Sequence, residues 1–431
     1  MSEVAGNDWS TFSFGALCSR IVNGGTPDTG NSSYWNGETP WITGADFTSN
    51  GIGEFRRFVS NTGVRNSATS VVKQGNLLVV TRTGVGKLAV APCDIAISQD
   101  ITGVYIDATK AETNFIYYLL SRELEELKKL NQGTSINGIV RSDLEMHAVR
   151  VPAAKSVQKK IAAILTAIDN AIEKTEALIA KYQQIKVGLM HDLFTRGVLP
   201  NGQLRPPRSQ APELYQETEI GWIPKEWRVY RLDVVADVLD PNPSHRNPIY
   251  HPEGFPFIST VEFIDNDEVE VDTSRRVVAG IVEEQELRCK FTERSIGFSR
   301  KGTIAEIRFL PTQVRFALLD SLCVINPKIV DASFLFYSLR SESLVRQSKN
   351  MTMGQALPQV SIGRVRELII PVPTSIEQAV IGQRVNTVMD NIKSESAHLR
   401  KLHAQKHGLM QDLLTGKVPV QVDEPDREVT A

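Results

Sequence analysis

The chain repeats itself, and no other feature limits its possible folds as much. Gly188-Leu189-Met190-His191-Asp192-Leu193-Phe194-Thr195 returns 220 positions later as Gly408-Leu409-Met410-Gln411-Asp412-Leu413-Leu414-Thr415. At the same spacing Gln158 meets Gln378, Ile161 meets Ile381, Ile172 meets Ile392 and Lys186 meets Lys406. Upstream, Pro40-Trp41-Ile42-Thr43 with Phe47 matches Pro256-Phe257-Ile258-Ser259 with Phe263. Trp9, Phe14 and Leu17 match Trp227, Leu232 and Val235, and Thr81-Arg82-Thr83-Gly84 matches Ser299-Arg300-Lys301-Gly302. Val151-Pro152 matches Val372-Pro373. The spacing drifts by a few residues, as loops of different length would make it do. A period this long is a tandem duplication of a domain, whereas solenoid repeats run about 20–50 residues.

Each copy closes on a long amphipathic stretch. In the first, Ile161, Leu165, Ile168, Ile172, Ile179, Tyr182, Leu189 and Leu193 fall four and three apart, with Thr175 and Lys186 as polar exceptions. In the second, Ile381, Val385, Val388, Ile392, Leu399, Leu402, Leu409 and Leu413 do the same, with Glu395 and Lys406 as exceptions. Sustained 3-4 spacing predicts coiled-coil helices. Both begin just after a Val-Pro pair and end at Gly197 and Gly416, which suit C-terminal caps. A helix over 157–195 would span about 58 Å. The pattern predicts that the two helices pack on each other, antiparallel, with the domains at opposite ends.

The globular parts mix short β-like runs, such as Leu77-Leu78-Val79-Val80 and Cys323-Val324-Ile325, with helical stretches such as Asn114 to Leu130. The expected fold class is α+β: two similar α/β domains separated by two long antiparallel coiled-coil helices, an internal pseudo-twofold repeat. The boundaries read as domain 1–152, helix 153–197, exposed Pro- and Gly-rich linker 198–224, domain 225–372, helix 373–418 and tail 419–431.

Catalytic motifs are absent where their fragments occur. Gly84-Val85-Gly86-Lys87-Leu88 lacks the first glycine and the Ser or Thr of a phosphate loop. Asp240-Pro241-Asn242-Pro243 lacks the adjacent prolines and aromatic of an amino-methyltransferase loop, and no glycine-rich cofactor turn is present. His403 and His407 share a helix face, but Ala404 stands where a zincin needs glutamate. Glu126-Leu127-Lys128 reads as surface helix. His147, His191, His245, His251 and His398 form no triad spacing. Cys18, Cys93, Cys289 and Cys323 are scattered, without a Cys-x-x-Cys pair, and read as free thiols in a reducing cytosol. With no signal segment and no long apolar run, the expected location is cytoplasmic. No metal and no cofactor are expected in this chain.

Net charge is −2, from 48 basic and 50 acidic residues, which by itself offers a nucleic acid nothing. Local charge differs. Glu54 to Lys87 holds six basic residues, Arg56, Arg57, Arg65, Lys73, Arg82 and Lys87, against one acidic. Arg275 to Arg315 holds nine basic against five acidic. The candidate DNA-binding residues are Arg56, Arg57, Arg82, Lys87, Arg275, Arg276, Arg300, Lys301 and Arg308, because Arg and Lys neutralise phosphates or bond guanine. Arg82 and Arg300, in matched turns, are expected near DNA or bracing the turn. Trp41 and Phe257 read as core.

These residues resemble the specificity subunit of Type I restriction–modification enzymes over nearly the whole chain. Gly24-Gly25-Thr26-Pro27, Tyr34-Trp35-Asn36-Gly37 and Pro40-Trp41-Ile42 are typical of that family's target-recognition domains. Similar too are Gly133-Thr134-Ser135 through Ile139 and Leu144, Glu377-Gln378 (where the first copy has Val157-Gln158), and the ending Gly408 to Val418. The second domain departs, with Asp240-Pro241-Asn242-Pro243 in place of Gly-Gly-Thr-Pro. The resemblance implies that each domain reads half of a bipartite, asymmetric site on double-stranded DNA. It implies that the helices set the spacing and dock two modification (methyltransferase) subunits. Half-sites one helical turn apart are about 34–36 Å apart, within the helices' reach. S-adenosylmethionine, ATP and Mg would belong to those subunits and to restriction (motor–nuclease) subunits. Rival readings are a protein-binding scaffold with a coiled-coil spacer, and a self-contained methyltransferase or nuclease.

Overall fold

A computed structural model describes residues 8–48, 51–82, 86–130 (side chains to 124), 139, 141–244, 248–264, 267–352 and 358–422. The chain forms two compact units. One comprises Met1–Lys174 with Leu399–Ala431, the other Thr175–His398. Each unit therefore takes part of both long helices.

The two units use the same strands in the same order. In the first, strands Cys18–Asn23, Ile101–Ile106, Leu77–Val80 and Leu88–Val90 lie side by side, all antiparallel. In the second, Ala236–Leu239, Leu322–Pro327, Ile296–Ser299 and Ile307–Phe309 repeat that sheet. Leu77–Val80 and Ile296–Ser299 are buried on both faces; the first is an unbroken apolar run, and the second ends in the buried hydroxyl of Ser299. A second sheet holds one parallel pair per unit: Trp41 opposite Ala96 and Ile42 opposite Ile97, then Phe257 opposite Ala317 and Ile258 opposite Leu318. Its outer antiparallel partners are Phe58–Val59 and Arg276–Val277. Here the copies diverge: strand Ser70–Val72 completes the first sheet, while the second unit carries helix Ala279–Cys289 at that stage of the chain.

Trp9–Ser13 pairs with Ala148–Pro152, and Arg228–Arg231 with Ile369–Val372. Each pair ends at the Val-Pro that launches a long helix. The helices run Lys155–Thr195 and Ser375–Leu413, 41 and 39 residues, so about 62 and 58 Å. One glutamine seats each start. Gln158 accepts from the Glu112 amide (2.8 Å) and donates to the Pro152 carbonyl (2.8 Å). Gln378 accepts from the Asp331 amide (2.8 Å) and donates to the Pro373 carbonyl (2.9 Å). Both side chains are buried.

Ile161, Leu165, Ile172 and Leu193 are buried and Ile168, Ile179, Tyr182 and Leu189 half-buried. Ile381, Val385, Ile392, Leu402 and Leu413 are buried, with Val388, Leu399 and Leu409 half-buried. In the first unit Ile161, Leu165, Leu413 and Leu414 share a core with Phe14, Phe115 and Leu120. Lys406 bonds Asp169 there at 2.7 Å. In the second unit Leu193 and Phe194 share a core with Ile381, Val385, Trp227 and Phe334. Within each unit the start of one helix thus shares a core with the end of the other. Gly197 (φ +64°) and Gly416 (φ +75°) end the helices in the left-handed region that glycine tolerates.

The linker is more ordered than its Pro-rich composition suggests. Val198 bridges Leu204, and Tyr215–Thr218 and Gly221–Pro224 form a hairpin. Arg205 is buried, with Glu377 at 2.5 Å, and Glu377 also accepts from the Val198 amide at 2.7 Å. A buried carboxylate needs such partners, so the linker is pulled inward.

Candidate nucleic-acid interface

In the first unit the sheet strand Trp35–Ile42 runs into a tight turn, Thr43 to Asp46, and a loop that returns through Arg56 and Arg57. Gly25 makes the approach possible: its carbonyl accepts from the Trp41 indole at 3.1 Å, and a Cβ there would press on Ala68. Trp41 is buried and meets Trp35 edge-on, with ring centres 5.3 Å apart. The Arg57 guanidinium lies 5.8 Å above Trp41. Trp41, Thr43, Asp46, Arg56 and Arg57 line a recess of about 250 Å³.

Arg56 is exposed but bonded to Asp46 through Nε at 2.8 Å and through Nη2. Burial works to raise the Asp46 pKa. The Thr43 amide and hydroxyl and the Arg56 guanidinium outweigh it and hold the carboxyl below its ordinary value. Lys87 donates to the Phe47 and Gly44 carbonyls, at 3.0 and 3.4 Å. Arg82 is exposed, beside the buried Thr81.

In the second unit the basic residues are more fully engaged. Arg275 bonds Glu262 and the Ser259 hydroxyl (2.8 Å), and Glu262 is held below its ordinary pKa despite burial. Arg276 donates to the Thr273 and Gly254 carbonyls, both at 3.1 Å, and reaches Asp272. Arg308 donates to the Ile264 carbonyl at 2.9 Å and lies over Phe263. Lys301 pairs with Asp320 at 2.5 Å. The Arg300 side chain is 3% exposed, 3.8 Å from Asp240, with Nε and Nη2 lacking a hydrogen bond. Arg300 is thus buried inside the domain. Phe257 is fully buried.

The acidic partners were missed in the sequence, although one signal was present. Thr43-x-x-Asp46 and Ser259-x-x-Glu262 are capping boxes, each following the matched Trp-Ile or Phe-Ile pair. Nothing local links those acids to arginines 10 and 13 positions on. Gly84, Val85, Gly133-Thr134-Ser135 and His245 lie outside the described residues, as do the side chains of Glu126-Leu127-Lys128. Among the described residues no group of His, Cys, Asp and Glu could hold a metal. Burial pushes the Cys18, Cys289 and Cys323 thiols up to about 12, so none is a ready nucleophile. No helix among the described residues is long and apolar enough to cross a membrane.

The sequence model of one family, described as Type I restriction modification DNA specificity domain, matches residues 6–183 and 224–404. The Type I restriction enzyme MjaIX specificity subunit of Methanocaldococcus jannaschii is 21% identical over 93% of this chain and 91% of its own. The Type I restriction enzyme EcoDI specificity subunit of Escherichia coli is 23% identical over 72% of this chain and 70% of its own. Among solved structures, the S subunit of a Type I restriction–modification system from M. genitalium superposes with a TM-score of 0.60. It covers 96% of this chain and 98% of its own at 15% identity, a likeness of fold. A chain from a study of assembly in the type I R-M system gives 0.54, at 15% identity, over 97% of this chain and all of its own.

Proposed function

The chain belongs to the Type I restriction modification DNA specificity family, matched twice along its length, and from that premise we propose that it is the specificity subunit of a Type I restriction–modification complex. Each globular domain reads one half of a bipartite, asymmetric DNA site. The long helices fix the distance between halves and dock two modification subunits, which methylate adenine, and restriction subunits join the assembly. The observation that carries this reading is the duplication of an entire domain together with its helix, down to matching strand order and Gln158 and Gln378. Two similar reading heads in one chain suit a two-part target.

The chain itself is non-catalytic in this reading. It binds no cofactor, while S-adenosylmethionine, ATP and Mg serve the partner subunits, and it works in the cytoplasm. The exposed cations Arg57 and Arg82 face phosphates, where each contact made would contribute about one unit to the salt dependence of binding.

Co-expression of the chain with its modification subunit, followed by sequencing of modified bases, tests the proposal. The expected result is a split motif with methyladenine in both halves. Methylation that is the same with and without this chain overturns it, and leaves the protein-binding scaffold as the reading.

A further inference from the structure

Both domains carry the same latch beside the sheet. Thr43 donates its amide (2.8 Å) and hydroxyl (2.9 Å) to Asp46, and Ser259 donates its amide (2.8 Å) and hydroxyl (3.0 Å) to Glu262. An arginine from the far end of the following loop closes on each acid: Arg56 on Asp46, Arg275 on Glu262. The acid's own carbonyl accepts from within the loop, from Gly53 at 2.9 Å and Glu270 at 2.8 Å. A further cation from the neighbouring sheet pins the loop backbone in each case, Lys87 on Phe47 and Arg308 on Ile264.

The arginines do not share a register. Trp41 donates its amide to the Arg57 carbonyl, whereas Phe257 donates to that of Arg275. The backbone equivalent of Arg275 is thus Arg57, and the first domain builds its latch from the residue before. The acid and the hydroxyl also differ between copies. What both domains keep is the contact, made from different side chains, although their second sheets have diverged.

We propose that Asp46 with Arg56, and Glu262 with Arg275, are positioning residues that fix a DNA-reading loop in each domain, rather than phosphate contacts. The inference rests on the reading of the chain as a specificity subunit. A loop clamped at both ends and at its backbone reaches DNA already shaped, so less ordering entropy is lost on binding. Four of the nine cations singled out by local charge, Arg56, Lys87, Arg275 and Arg308, then act within the protein.

The two roles make opposite demands on the acid. If Arg56 serves phosphates, Asp46 competes with DNA, and removing it tightens binding. If the pair positions a loop, removing the acid weakens binding to the correct site alone.

The test uses the complex of this chain with its modification subunits. Binding is measured across a salt series to duplexes with the intact methylated motif, with either half altered, and with both altered. Asp46→Asn is expected to weaken binding to the intact motif by about tenfold or more, the cost of a mismatched base pair. Binding to DNA with both halves altered, and the salt slope, stay unchanged. Glu262→Gln does the same for the other half-site, Arg56→Gln matches Asp46→Asn, and Asp46→Glu restores discrimination. The proposal is overturned if Asp46→Asn tightens binding or weakens it equally on all duplexes. It is overturned too if Arg56→Gln lowers the salt slope by about one. Should Asp46→Asn not assemble, Arg56→Gln carries the test, since that side chain is 65% exposed. A wild-type complex that fails to distinguish the duplexes refutes the specificity reading itself.

Discussion

Arg82 and Arg300 are matched in the sequence and have different surroundings. Arg82 is exposed, while Arg300 is buried against Asp240, the residue that opens the Asp-Pro-Asn-Pro departure from the first copy. Arg300→Ala is therefore expected to leave the salt slope of DNA binding unchanged, since its side chain is buried and out of reach of phosphates. Arg82→Ala should leave the melting temperature alone and lower that slope by about one. The latch acids give a pH signature. Their folded pKa values lie below the ordinary 3.8 of Asp46 and 4.5 of Glu262. Each therefore adds stability that is complete above those values and lost as pH falls through them toward the folded value. The double variant Asp46→Asn, Glu262→Gln should lose less melting temperature than wild type between about pH 5 and pH 3, read by thermal melts at each pH. At this scale the sequence showed where cations cluster, while the capping boxes it holds at Thr43 and Ser259 went unread. It did not show that the two meet, because an ion pair across a loop is set by strand pairing and leaves no periodic trace.

The long helices were the most legible elements, since little except a long paired helix produces a 3-4 stripe over some forty residues. Every stripe position lies buried or half-buried. The period could not say what each position faces. Lys186 and Lys406 are equivalent in sequence, yet Lys406 bonds Asp169, while Lys186 has its pKa lowered by burial, with Asp267 opposing. Nor could it show Gln158 and Gln378 bridging to a domain helix, a contact 46 and 47 residues back in the chain. The glycine stops were readable, but not their neighbours: a Cβ on Gly416 would run into Trp9, and one on Gly197 into Glu377, Arg205 and Trp227. Gly197→Ala and Gly416→Ala should each cost about 1–3 kcal/mol, from a left-handed backbone with no space beside it. Chemical denaturation of the single variants checks this.

For the whole molecule the duplication gave the plan, and the division into units shows how the plan is closed. The first unit is made of the beginning and the end of the chain, Met1–Lys174 and Leu399–Ala431. Leu413 and Leu414 fill its core, and Gly416 lies against Trp9. Deleting 399–431 should thus open amides around Phe115 and Leu120 to hydrogen exchange while those around Phe334 and Leu335 stay protected. Leu414→Ala alone should cost about 2–5 kcal/mol in the first unit. Synthesis turns this interleaving into a delay. At about 5–20 residues per second, the 224 residues between Lys174 and Leu399 take about 10–50 s to make. Through that interval the nascent first unit presents the apolar surface that Leu413 and Leu414 later cover. The unit begun first on the ribosome is finished last, and a nascent chain in that state is one that holding chaperones would bind.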